Sequence, residues 1–264
     1  MRKNVFQFLF LLLLANIGLA QRVELGIQAG ACNYWGDLSP ALKFKETNPC
    51  GGIFFRLNLN HTWALKTELN QYMVSGSDKN FDFNKNRNLS FFSPITEGAV
   101  LMEFNYSKYG PYILHKKFTT YVYAGIAGFR FKPQTVLDGK VYELAVYQTE
   151  GIVYNKFSLA VPFGLGAKWM LNNKFALEGQ FGFRKTFTDY LDDVSTVYPD
   201  VSSRFNDGGL IGATLTDRSI EIYGTPQYSR NYKRGSPEQK DWYMCATVSV
   251  SMRLHTKIKC ARFY

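Results

Sequence analysis

Beyond residue 20, apolar and polar residues alternate with a period of two through most of the chain. The last such segment is the clearest. Trp242, Met244, Ala246, Val248, Val250, Met252 and Leu254 share one face, and Tyr243, Cys245, Thr247, Ser249, Ser251 and Arg253 share the other. On an extended strand successive side chains point to opposite faces, so this pattern predicts a strand with one apolar and one polar side. Val23, Leu25, Ile27 and Ala29 alternate with Glu24, Gly26, Gln28 and Gly30 in the first strand. Ile53, Phe55, Leu57 and Leu59 alternate with Phe54, Arg56, Asn58 and Asn60 in the second. The third sets Trp63, Leu65, Leu69 and Met73 against Lys66, Glu68 and Asn70. The fourth sets Val100, Met102 and Phe104 against Glu97, Glu103 and Asn105. The seventh sets Phe175, Leu177, Phe181 and Phe183 against Glu178, Gln180 and Arg184. Two glycine-rich apolar stretches, at about 118–131 and 158–170, complete a set of eight.

The connections alternate in length. Asn60-His61-Thr62 and Leu171-Asn172-Asn173-Lys174 read as tight turns and 106–117 as an intermediate one. The stretches near 31–51, 75–90, 131–157 and 189–240 are long. Several strands exceed the roughly 9–11 residues that cross a bilayer. Short turns at one end and long loops at the other are the pattern of an outer-membrane barrel, with the short end periplasmic. The expectation is an all-β fold: an eight-stranded antiparallel transmembrane β-barrel with long extracellular loops. Both termini then lie in the periplasm, and outer-membrane lipids surround the wall.

The polar face carries Glu24, Glu68, Glu97, Glu103 and Glu178 against Arg56, Lys66, Lys168, Arg184 and Arg253. Buried charges must be paired, and an eight-stranded barrel has little room beyond its own side chains. A self-neutralising plug follows, not an open pore. A soluble lipocalin-like barrel would invert the faces, and a core holding that many charges would be costly.

Residues 1–20 read as a secretory signal peptide. Arg2 and Lys3 precede the apolar run Val5 to Leu14, and Gly18-Leu19-Ala20 is a small-residue cleavage site. Residues 21–264 then form one barrel domain. The formal charge of +10 falls to +8 without Arg2 and Lys3. In an exported chain this points to anionic headgroups or an acidic partner rather than nucleic acid.

Candidate chemistry is sparse. Export allows disulfides, and Cys32–Cys50 would link neighbouring strands; Cys245 and Cys260 complete the set of four cysteines. No pair has zinc-site spacing. Asp189, Asp192 and Asp193 lie close enough in sequence to suggest a weak Ca²⁺ site, although aspartates that cap turns explain them as well. His61, His115 and His255 all fall at the short-turn end or in the tail, away from any serine at the outer rim. The sequence is thus read as that of a non-enzymatic protein without a cofactor. Tyr34-Trp35 reads as an interfacial anchor.

Several stretches resemble the PorG-like outer-membrane family of Bacteroidetes, associated with type IX protein secretion. They are YWGDL at 34–38, RNLSF at 87–91, FTTYVYAGIAGFRFKP at 118–133, QTEG at 148–151, PFGLGAKW at 162–169 and FGFRKTFTDYLDDVSTVY at 181–198. RG at 234–235, DWY at 241–243 and the terminal CARFY extend the resemblance over nearly the whole mature chain. Cys260-Ala261-Arg262 departs from the family's Cys-Pro type of ending. The resemblance implies a component that ties a periplasmic ring, built of PorK and PorN type proteins, to the outer membrane. Its contact surface would be periplasmic, with Lys108, Tyr109, Lys116, Lys117, Lys257, Lys259 and Arg262 as candidates. The competing expectation is a generic surface barrel whose long loops bind a ligand or stabilise the envelope.

Overall fold

The computed structural model describes residues 23–109 and 116–254. Eight long strands make the wall: β1 (Val23–Trp35), β2 (Asn48–Asn58), β3 (Trp63–Ser77), β4 (Ser90–Asn105) and β5 (Phe118–Phe131), then β8 (Phe157–Met170), β9 (Phe175–Thr186) and β10 (Trp242–Arg253). A small hairpin, β6 (Gln134–Leu137) and β7 (Lys140–Glu143), rises from the β4 edge. The order β3-β2-β1-β10-β9-β8-β5-β4 closes through β3–β4 pairing, and every ladder is antiparallel. The first and last strands meet in a seam that runs from Glu24–Arg253 to Trp35–Trp242.

Closure leaves no edge, so the wall strands satisfy their backbone groups among themselves, as hydrocarbon demands. The period-two pattern sorts as the sequence requires. Ile27 is 67% exposed and Ile126 71%, whereas Glu24 is 1% exposed. Leu25, Ile53, Phe55, Leu69, Val100, Val122, Leu165 and Val248 continue the exposed apolar band. All ten charged residues assigned to the interior are buried. This is an inside-out arrangement for a water-soluble barrel and the right one for a lipid-facing wall. Among the described residues no helix is long and apolar enough to cross a membrane.

Trp63 and Phe104 meet edge-on at 4.9 Å near the short-turn rim, and Trp35 and Trp242 pair at the opposite rim. Of the two aromatics expected as anchors, Trp35 faces outward and Tyr34 is wholly buried inside. The long loops are more structured than their sequence indicates. They hold the β6–β7 hairpin and α1 (Leu144–Tyr147), then α2 (Val201–Thr216) and α3 (Ile220–Tyr223). Asp200 caps α2 by accepting from the Ser202 amide at 3.0 Å.

Candidate functional site

The interior is built in tiers. Nearest the short turns, Arg56 contacts three carboxylates: Glu24 at 2.9 Å, Glu103 at 2.9 Å and Glu178 at 2.5 Å. Lys168 adds a 2.5 Å contact to Glu103, and Arg253 a 2.8 Å contact to Glu24. In the next tier Lys66 pairs with Glu68 at 2.6 Å and its amine lies 4.1 Å from the Phe54 ring centre. Gln28, Asn70 and Gln180 complete that layer's hydrogen bonds. Above it Arg184 donates to the Tyr72 hydroxyl at 2.8 Å, and Tyr72 and Tyr243 both donate to Glu97. Charges this deep are tolerated because each is answered by an opposite charge and by further hydrogen bonds. The chemistry of such a stack is structural: it fills the lumen and fixes the strand registers.

Above the stack the long loops form a polar cap, made largely of residues from the stretches quoted above. The Tyr34 hydroxyl lies 2.7 Å from both Asp192 and Asp241. One hydroxyl carries one proton, so it donates to one carboxyl and accepts from the other, which must be protonated. Burial first, and then the charge of neighbouring carboxylates, pushes both aspartates well above the usual carboxylate range. Arg87 pairs with Asp78 at 2.6 Å and donates to the Arg234 carbonyl. Arg234 reaches Glu150 at 3.1 Å and the Asp193 carbonyl at 2.6 Å, and Glu150 accepts from the Ser195 and Thr196 amides. A Cβ on Gly235 would lie 2.6 Å from Asp37 Oδ2 and 2.7 Å from the Ser195 amide nitrogen, so only glycine fits there.

The three aspartates proposed as a weak metal set do not converge. Asp189 accepts from Ser195 at 2.6 Å, Asp192 is held by Tyr34 and the Val194 amide, and Asp193 accepts from Thr149 and Tyr154. They cap turns and tie loops: Asp189 and Asp192 hold the 194–195 turn, Asp192 also reaches Tyr34, and Asp193 reaches Thr149 and Tyr154. Burial raises the Asp189 and Asp193 carboxyls to about 6. The residues that do converge are Cys32, Cys50 and Cys245, whose sulfurs all lie within 4.8 Å of one another as free thiols. Cys32 and Cys50, expected as a possible disulfide, are neighbouring free thiols here, with Cys245 as a third member. Residue 245 faces residue 32 across the β1–β10 seam, a juxtaposition that only the closing register reveals.

At the short-turn end Lys108, Lys116 and Lys117 are exposed. Tyr109 is not available to a partner: it is buried at the barrel mouth, 6.0 Å from the Arg253 guanidinium, and its amide is held by the His61 carbonyl. Lys257, Lys259 and Arg262 lie outside the described residues, as do Cys260, His115 and His255. His61, the only histidine among the described residues, is exposed in its turn.

A closed, eight-stranded wall with an apolar exterior and a charge-paired interior defines a β-barrel of the outer-membrane type. The family model described as a domain of unknown function, DUF6089, matches residues 3–210, and the chain belongs to that family. No curated protein matches. Among solved structures, the chain is similar to Ail, the attachment invasion locus protein of Yersinia pestis, in complex with the heparin analogue sucrose octasulfate. Identity is 7%, coverage 88% of this chain and 97% of Ail, and the TM-score 0.42. It is also similar to a major outer membrane protein from Thermus thermophilus, at 12% identity, 87% and 98% coverage and a TM-score of 0.41. Neisserial surface protein A gives 8%, 88% and 96%, and 0.39.

Proposed function

We propose that this chain is a non-enzymatic outer-membrane barrel that anchors a periplasmic ring of the type IX secretion machinery, of PorK and PorN type, through its short-turn end. The supporting observation is the filled lumen. Arg56 is held by three carboxylates at once and Tyr109 closes the mouth below it, so the barrel suits a rigid fixture better than a conduit. In this reading the short-turn end and both termini face the periplasm. Exposed Lys108, Lys116 and Lys117 then offer a basic rim to an acidic partner, and Lys257, Lys259 and Arg262 near the C-terminus of the sequence add to the basic candidates.

A second reading, a surface barrel that works through its long loops, is favoured by α2. That helix exposes Phe205 and Leu210 at the opposite end. The two readings separate by mutation. Replacing Lys108, Lys116 and Lys117 together with Glu is expected to impair secretion of type IX cargo while the barrel still folds. Deleting 200–235 is expected to leave secretion intact. The reverse pattern establishes the surface reading.

A further inference from the structure

Cys32 on β1, Cys50 on β2 and Cys245 on β10 all point into the barrel, just beneath the loop cap. They are 1%, 8% and 2% exposed. Three adjacent strands of a closed wall hold their backbones, with Cys32 directly opposite Cys245 and Cys50 opposite Tyr72. We propose that Cys32, Cys50 and Cys245 form a buried three-thiolate site for one thiophilic divalent metal ion, with Zn²⁺ as the probe, and that the metal clamps the β1–β10 seam.

The spacing carries the proposal. Tetrahedral zinc with Zn–S bonds of about 2.3 Å sets its sulfurs roughly 3.8 Å apart. All three sulfurs here fall within 4.8 Å of one another, so small rotations of the side chains close the set. An oxygen donor is at hand: the Met73 carbonyl lies 2.8 Å from the Cys32 sulfur. A disulfide between any two of the three would strand the third in a buried interior, whereas a metal uses all of them.

Charge points to a divalent ion. The five carboxylates and five cations of the interior already cancel. Binding releases three thiol protons, so the three thiolates add three negative charges. A divalent ion leaves one of these uncompensated, and a monovalent ion leaves two. With a divalent ion the interior is left with a net charge of −1, and Arg184, within electrostatic reach of Cys50 and Cys245, places a cation beside it. Its Nε makes no hydrogen bond, and its carboxylate neighbours Glu97 and Glu68 stand off at 3.7 and 3.9 Å. Soft thiolate donors also select zinc over the hard cations that carboxylates favour.

The test uses the full mature chain with Cys260→Ser, so that three thiols remain. The chain is refolded in detergent under reducing conditions, exposed to Zn²⁺ alone at low-micromolar free concentration, and separated from unbound metal. The expected result is one zinc per chain, release of protons on binding, and a higher urea midpoint with metal than with chelator. Cys32→Ser and Cys245→Ala, each checked for folding by heat-modifiable gel mobility, are expected to lose stoichiometric zinc; whichever folds supplies the comparison. Failure of the parent chain to bind stoichiometric zinc overturns the proposal. So does unchanged binding in a folded variant, or a disulfide among the three cysteines in chain isolated from its native membrane.

Discussion

Arg56 on β2 and Glu178 on β9 meet inside the barrel through two parallel hydrogen bonds, of 2.5 and 2.6 Å, between residues 122 apart in sequence. This fork-to-fork geometry is the strongest form of the arginine–carboxylate pair. It joins strands that do not neighbour each other in the sheet, so it braces the barrel across its width. Arg56→Met leaves Glu24, Glu103 and Glu178 facing one another with one cation fewer. Removing one member of a buried ion set costs roughly 3–5 kcal/mol, and unfolding in urea is expected to shift by that order. Double replacement of Arg56 and Glu178 by apolar residues should recover part of it.

The lipid-facing assignment has its own test. Ile126 lies mid-strand on β5, opposite Val100, in the exposed apolar band. An arginine at the midplane of a barrel's lipid face costs about 2–4 kcal/mol. Ile126→Arg is therefore expected to depress folding into phosphatidylcholine vesicles by that amount. Ile126→Leu should be close to neutral. A polar-tolerant site 126 would contradict a lipid-facing wall.

The loop cap can be loosened without opening the barrel. Arg234 ties Glu150 to the Asp193 carbonyl, and Gly235 leaves room for the Asp37 carboxylate and the Ser195 amide. Arg234→Met and Gly235→Ala are each expected to speed proteolytic cleavage within 187–241 severalfold. The gel mobility of the folded barrel should stay unchanged, because the wall ladders do not involve these residues.

The same cap is expected to respond to pH. Asp189 and Asp193 titrate near 6 in the folded protein, and Asp192 and Asp241 are raised further. In unfolded chain an aspartate titrates near 3.9. Between these values the folded state holds more protons, so stability falls as pH rises. The contribution is full below about pH 4 and is lost as pH climbs through 6 and beyond. Amide exchange in 187–241, corrected for its intrinsic pH dependence, should show greater protection at pH 5 than at pH 8. Equal protection would contradict the raised carboxyls.

The wall was legible in the sequence because its two faces obey a strict period. Glu24, Arg56, Glu178 and Arg253 all fell on the inner side of that period, and all are inside. The cap was legible only as scattered motifs. Tyr34, Arg87, Glu150, Asp193, Arg234 and Asp241 come from six segments, and no local periodicity links them. The β6–β7 hairpin did carry a local signal: Asp138-Gly139 between Val136 and Val141, with positive φ at both turn positions. Helix α2 carried little, since Gly208 and Gly209 interrupt it and Gly209 departs from helical geometry. Cys32 and Cys50 were placed near each other by neighbouring strands, but Cys245 joined them only through ring closure, which sets residue 32 against residue 245.

The most direct test of the anchor role is site-specific photo-crosslinking in intact cells. One chain carries a photoreactive residue at Lys117 on the short-turn end, and another carries it at Phe205 on α2. Ring proteins captured from position 117 and not from position 205 are the result expected of a periplasmic anchor. Capture of ring proteins from neither position, where a known ring component crosslinks under the same conditions, would contradict it.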